Sequence, residues 1–180
     1  IRIVGMRLKD TDGLSAAVGI EKLREVLLQP KGAVRLVGLS GVGKTRLAQA
    51  LFDSDIGSNA LDPRLVVYTD LADSPDPIPL ELIAHLQHLG QRSILIVDNC
   101  GADLHRKLCA RMRTGSGNMS VLTIEYDISD DEPENTDTYK LEPASSDIIE
   151  KIVERRYPTL AQPEIRTIAG FSEGNSRIAL

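Results

Sequence analysis

Tryptophan is absent from this 180-residue chain, and aromatic residues make up only 3% of it. Surfaces that hold nucleic acid by stacking bases on rings are therefore not expected. Cysteine is scarce as well. Cys100 and Cys109 cannot build a disulfide framework, and their helical surroundings point to two reduced cytosolic thiols. No apolar run approaches ~18 residues, so no membrane span is expected, and with the reduced thiols a cytoplasmic location is the expectation. Basic residues are outnumbered, 21 Lys and Arg against 26 Asp and Glu, and the net charge of −5 argues against a large nucleic-acid surface. The acids gather in "EYDISDDEPENTD" (Glu125 to Asp137), which has no Lys or Arg and reads as a solvated loop. The chain opens on Ile1 without a signal-peptide layout, which leads us to expect an excerpt of a longer protein.

What is present suffices for a substantial core, with 42% hydrophobic and 26% charged residues. The length fits one domain, or one domain with a small appendage. "SAAVGIEKLREVLLQP" (Ser15 to Pro30) has helical apolar spacing and a proline stop. "AVRLV" (Ala33 to Val37) reads as a buried strand, followed by helix from Lys44 to about Phe52. "RLVVYTD" (Arg64 to Asp70), "SILIVD" (Ser93 to Asp98), "SVLTIE" (Ser120 to Glu125) and "TYKLE" (Thr138 to Glu142) supply further strands. Helices are predicted over Leu80 to Leu89 and Leu104 to Arg113. Strands and helices alternate, and several strands are apolar throughout, the mark of a parallel sheet covered on both faces. After Pro143 the strand signal stops, and two helices and the start of a third follow. We expect an α/β domain over 1–143 and the start of a helical piece over 144–180, partly truncated.

The turn after "AVRLV" is "GLSGVGKTRL" (Gly38 to Leu47). Gly38, four residues, then Gly43-Lys44-Thr45 satisfies G-x-x-x-x-G-K-[ST], the Walker A pattern, in the strand-loop-helix setting that it requires. Glycines let the loop fold back so that successive N–H groups point inward around an anion. The helix start adds its positive end to the same spot. Lys44 brings a cation to the β- and γ-phosphates, and the Thr45 hydroxyl can ligate Mg²⁺. Gly38, Ser40, Gly41, Val42, Gly43, Lys44, Thr45 and Arg46 are therefore the candidate phosphate-binding residues.

Magnesium needs a partner carboxylate. Asp98 ends a buried strand, at the edge where open α/β sheets bind ligands. Helix capping is the competing reading of Asp98. The next residue is Asn99, which can orient a water but cannot take its proton. That favours slow hydrolysis, with Glu125 a candidate base at the end of the following strand.

The order of phosphate loop, "RLVVYTD", "ILIVDN" and "SVLTIE" resembles the AAA+ and STAND branch of P-loop ATPases, in which a strand intervenes between the two nucleotide-binding strands. "FSEGNSRIAL" (Phe171 to Leu180) is similar to the AAA+ lid pattern G-[DN]-x-R-x-A-L and to the G-x-P-L-A-L segment of NB-ARC and other STAND switches. The resemblance implies a three-layer P-loop fold with a parallel five-stranded sheet and a helical lid. It implies ATP or ADP with Mg²⁺ as ligands, Thr45 and Asp98 on the metal, and Arg177 as the residue reaching the γ-phosphate. Ser176 stands in place of the STAND proline. Thr123 falls where the family's first sensor lies. "IVGMR" (Ile3 to Arg7) resembles the segment bracketing adenine, which makes Val4 and Arg7 candidates. Two departures stand out. "TIEYD" lacks the arginine that plant-resistance STAND proteins often carry there, and the acidic loop lacks a trans-acting arginine.

The expectation is thus an ATP-binding, slowly hydrolysing switch module of a larger STAND-like signalling or defence protein. Flanking sensor and effector domains and nucleotide-dependent homo-oligomers would be its partners. A ring-type AAA+ motor or loader subunit and a non-hydrolysing nucleotide-binding scaffold are the alternatives. His85 and His88 share a helix face at a metal-compatible spacing, but no third ligand follows and they read as surface histidines. Arg106, Lys107, Arg111 and Arg113 form a small basic face that reads as solvated.

Overall fold

The structure is a computed structural model that describes residues 2–5, 13–115, 117–126 and 135–180. Its strands are β1 (Arg2–Gly5), β2 (Leu14–Ser15), β3 (Ala33–Val37), β4 (Val66–Asp70), β5 (Ser93–Asp98), β6 (Met119–Glu125) and β7 (Asp137–Leu141). They form a single sheet in the order β2-β1-β7-β3-β6-β5-β4. From β7 to β4 neighbouring strands run parallel. β1 joins β7 antiparallel, and β2 joins β1 antiparallel. The expected five-stranded sheet is therefore corrected to seven strands, an antiparallel pair having been added to a parallel core. The physical reason is length. Two- and four-residue strands carry too little alternation to register as strands in sequence.

Helices α1 (Ala16–Leu28), α2 (Lys44–Ala50), α3 (Pro79–Leu89) and α4 (Ala102–Thr114) cover the sheet in two layers. Side chains alternate across each strand, so one strand feeds two cores. Ile94 and Ile96 of β5 join Leu122 and Ile124 of β6 under α1 and α2. Leu95 and Val97 join Met119 and Val121 under α3 and α4. This two-sided burial is why β5 reads as an unbroken apolar run. Fully burying each such side chain contributes roughly 1.5–3 kcal/mol. Cys100 and Cys109 are both buried and free. No helix among the described residues is long and apolar enough to cross a membrane.

Arg24 of α1 is fully buried. Its guanidinium donates to the carbonyls of Ala50, Leu51, Asp53, Ile56 and Ser58, which ties the chain leaving α2 to the body. A charge at this depth is tolerated because its N–H groups find carbonyl acceptors.

The remaining chain is helical: α5 (Ser146–Arg156), α6 (Gln162–Ser172) and α7 (Ser176–Ala179). These helices bury a separate small core of Ile149, Val153, Ile165, Ala169 and Ala179. The turn between α6 and α7 is anchored where Ala144 N–H donates to Gly174 O at 2.9 Å. Gly174 has φ +81°, and a Cβ there would fall 2.2 Å from Ala144 O. Only glycine permits that approach.

Candidate functional site

Parallel strands place their carboxyl ends along one edge of the sheet, and loops from several strands meet there. β3 leads into the loop 38–43, and α2 starts at Lys44 behind Gly43, a left-handed residue with φ 100°. A cavity of about 430 Å³ opens at this edge. Loop and helix contribute Ser40, Gly41, Gly43, Lys44, Thr45 and Arg46 to its wall. The strand ends contribute Asp70, Asp98, Asn99 and Tyr126, and the helical tail contributes Ser176, Arg177 and Leu180.

The Lys44 ammonium donates to the carbonyls of Gly38 and Leu39 at 2.8 and 2.7 Å. Burial holds its pKa below the usual lysine value, against the opposing pull of the Asp98 carboxylate. Asp98 is only 7% exposed. One carboxylate oxygen accepts from the Thr45 hydroxyl at 2.9 Å and the Tyr68 hydroxyl at 3.1 Å. The other accepts from the Asn99 backbone N–H at 2.9 Å. Tyr68 is pushed up to about 12, by burial first and by the Asp98 charge second, so it stays a donor.

Asn99 follows directly on β5 with φ 55°, a left-handed conformation that Asn tolerates better than most residues. Its side-chain Nδ2 donates to Asp70 Oδ1 at 2.6 Å. Asp70 ends β4 and stands opposite Asp98 in the strand register. The same Asp70 oxygen accepts the Ala72 N–H at 2.9 Å.

Lys44, Thr45, Arg46, Asp98, Asn99 and Arg177 thus come together with Ser40, Gly41 and Gly43. Other candidates lie elsewhere. Gly38 meets the ammonium through its carbonyl, and Val42 packs its side chain in the core. Thr123 is buried behind the edge, its hydroxyl 2.7 Å from His105 Nδ1, while His105 Nε2 meets the Thr136 hydroxyl at 3.0 Å. Glu125 is paired with the buried guanidinium of Arg35 and does not line the cavity. Val4 sits half-buried within β1, opposite Lys140 in the register. Arg7 lies outside the described residues.

Two features escaped sequence reasoning. Asp70 is the last residue of "VVYTD", and the strand-end argument made for Asp98 applied to it equally. The other is a contact between tail and loop. Asn175 Nδ2 donates to Ser40 O at 2.8 Å, and the Ser176 hydroxyl donates to Gly41 O at 2.8 Å. Gly41 has φ +81°, and a Cβ there would lie 2.1 Å from Asn175 Oδ1 and 2.8 Å from Arg177 Cβ. The pattern read in residues 171–180 pointed this tail at the loop, but nothing in the sequence marked these two hydrogen bonds to the loop carbonyls.

The fold, with a parallel core in which β6 separates the loop-bearing β3 from the Asp98-bearing β5, is similar to that of solved STAND and AAA+ proteins. Solved structures agree on this fold. A STAND protein with a tetratricopeptide repeat sensor from Pyrococcus horikoshii matches over 91% of this chain with TM-score 0.54 and 12% identity. Hsp104, in its closed state with ATPγS and FITC casein, matches over 99% with TM-score 0.57 and 15% identity. Trip13 from Rhizobiales matches over 82% with TM-score 0.50 and 14% identity. The chain spans 28%, 38% and 60% of those three proteins respectively. No protein-family model matches the sequence, and no curated protein matches it.

Proposed function

We propose that this chain is the ATP-binding and slowly ATP-hydrolysing switch module of a larger STAND-like signalling or defence protein. The contact of Asn175 and Ser176 with the loop carbonyls carries the switch reading, because it joins helical tail and phosphate loop at the rim of one cavity. In this reading residues 144–180 are the lid and residues 1–143 the nucleotide-binding domain. Nucleotide filling the cavity competes with or reinforces the clasp, and that changes how the lid sits.

The residues present suit ATP with Mg²⁺. Lys44 is a compact cation at the wall, and Thr45 and Asp98 put two oxygen donors within 2.9 Å of each other, the hard ligands that Mg²⁺ takes. Mg²⁺, when bound, neutralises phosphate charge. Lys44 would leave its two carbonyls to meet the phosphates. In this reading Arg177, on the cavity wall, reads the terminal phosphate, and Asn99 orients water. The fold likeness supports an ATPase module of this kind, with sensor and effector domains and homo-oligomer formation belonging to the longer protein.

Thermal stabilisation of the purified chain by ATP, ADP and GTP, with and without Mg²⁺, tests binding. Ligand at ~100 times its Kd adds about 2.7 kcal/mol. Hydrogen exchange over residues 170–180 tests the switch. Protection that differs between ATP and ADP, and loses that difference in Arg177→Ala, is expected. Identical protection in all states would discard the switch.

A further inference from the structure

Hydrolysis requires something to accept a proton from the attacking water. Asn99, the residue after Asp98, has no such capacity. Three carboxylates stand at neighbouring strand ends. Glu125 is occupied by the Arg35 guanidinium and is absent from the cavity wall. Asp98 is 7% exposed and already accepts two hydroxyls and one backbone N–H. Asp70 differs from both. It lines the cavity shared by Lys44 and Thr45, and it is partly open to solvent. Both of its hydrogen bonds fall on Oδ1, from Ala72 N–H and from Asn99 Nδ2. Among the described residues nothing donates to Oδ2, which leaves one oxygen for a water.

We propose that Asp70 is the proton acceptor for the water that attacks the terminal phosphoryl group, with Asn99 positioning its carboxylate. The inference rests on the ATPase reading above. Acid and amide have complementary places: the amide follows the metal-side carboxylate on β5, and the acid sits across from it on β4. The water oxygen forms a bond to the γ-phosphorus as the bond from that phosphorus to the bridging oxygen breaks. The electron pair of the broken bond stays on ADP. One water proton passes to Asp70 Oδ2 and then to solvent, and the other remains on the released phosphate.

The test is single-turnover ATP hydrolysis beside equilibrium binding of ATPγS with Mg²⁺, on the full 180-residue chain. The variants are Asp70→Asn, Asn99→Asp and the double exchange. Asn at position 70 keeps the shape and can still accept the Ala72 N–H, so the fold is retained, which a melting curve checks. Asp70→Asn is expected to slow turnover by at least ~100-fold, within the range of general-base catalysis, while affinity stays within about threefold. The double exchange returns a carboxylate to the other member of the pair and is expected to regain at least ~10-fold, which a merely structural role would not produce. A parental rate in Asp70→Asn overturns the proposal. So does a loss of affinity as large as the loss of rate, which would make Asp70 a ligand-holding group. No recovery in the double exchange overturns the pairing with Asn99. A parent that binds ATP without turning it over removes the base assignment and leaves the binding reading standing; a parent that binds no nucleotide removes the reading itself.

Discussion

Asp98 and Glu125 end neighbouring parallel strands, yet they live in opposite surroundings. Around Asp98 the donors are neutral: two hydroxyls and a backbone N–H. Its negative charge is therefore not cancelled by a bonded cation and remains for a ligand. Around Glu125 the donor is the guanidinium of Arg35, whose side chain is fully buried in β3. Arg35 also donates to the Cys100 carbonyl at 3.3 Å. Its charge is balanced by Glu125, so this carboxylate serves the fold. An acid at a strand end is a ligand site only when what stands behind it leaves its charge uncompensated.

The contrast can be broken most forcefully at Glu125. Glu125→Gln removes the carboxylate paired with a buried guanidinium and is expected to cost about 3 kcal/mol, the low end for a broken buried pair because Glu125 is 24% exposed. That lowers the melting temperature by about 6–12 °C at this size, while nucleotide affinity stays within about twofold. A stable variant with lost affinity would invert the assignment. Lys44→Ala is expected to do the reverse, weakening ATP by at least about a hundredfold, or ~2.7 kcal/mol, the scale of a charge-assisted hydrogen bond. Its melting curve without nucleotide should hardly move. Smaller still is Asp98→Asn, which keeps the acceptor for the Thr45 hydroxyl. Calorimetry should show ATP affinity falling about tenfold with Mg²⁺ and far less without it. Equal losses in both would make Asp98 only a packing and capping group.

The mildest test uses pH. Tyr68 is raised from its usual value of 10 to about 12. The protonated form is thus favoured in the fold, so its contribution is fully present below about pH 10 and fades as pH rises toward 12. Denaturant melts across that window should show a shallower loss of stability in Tyr68→Phe than in the parent. Parallel slopes would mean that neither burial nor the Asp98 charge holds this hydroxyl protonated.

The alternation of strands and helices, the glycine-lysine loop after β3 and the place of Asp98 at a strand end were readable in sequence because each rests on local pattern. β5 is apolar on both faces, and the loop carries its own glycines and lysine. Pairing across the sheet is not local. Whether Glu125 was open depended on Arg35, ninety residues earlier, and the clue was present: a lone charge inside the buried strand "AVRLV" demands a partner. Thr123 likewise depended on His105 reaching it from α4. Asp70 was hidden differently, in a strand read for its apolar content when its last residue mattered. The clasp at Gly41 joins positions about 135 residues apart; the pattern in residues 171–180 brought the tail to the loop, but which groups would bond there was not legible.

β6 has one more consequence. Hydrogen-bonded strands lie ≈ 4.7–4.9 Å apart, so inserting β6 holds β3 and β5 roughly 9.5 Å from each other. The strand is a spacer between the strand that leads into the loop and the strand that carries Asp98. Its Leu122 and Ile124 pack into the core on one side, and its Met119 and Val121 into the core on the other. The spacing of the two strands beneath the cavity is thus set by a strand that contributes no side chain to the cavity wall.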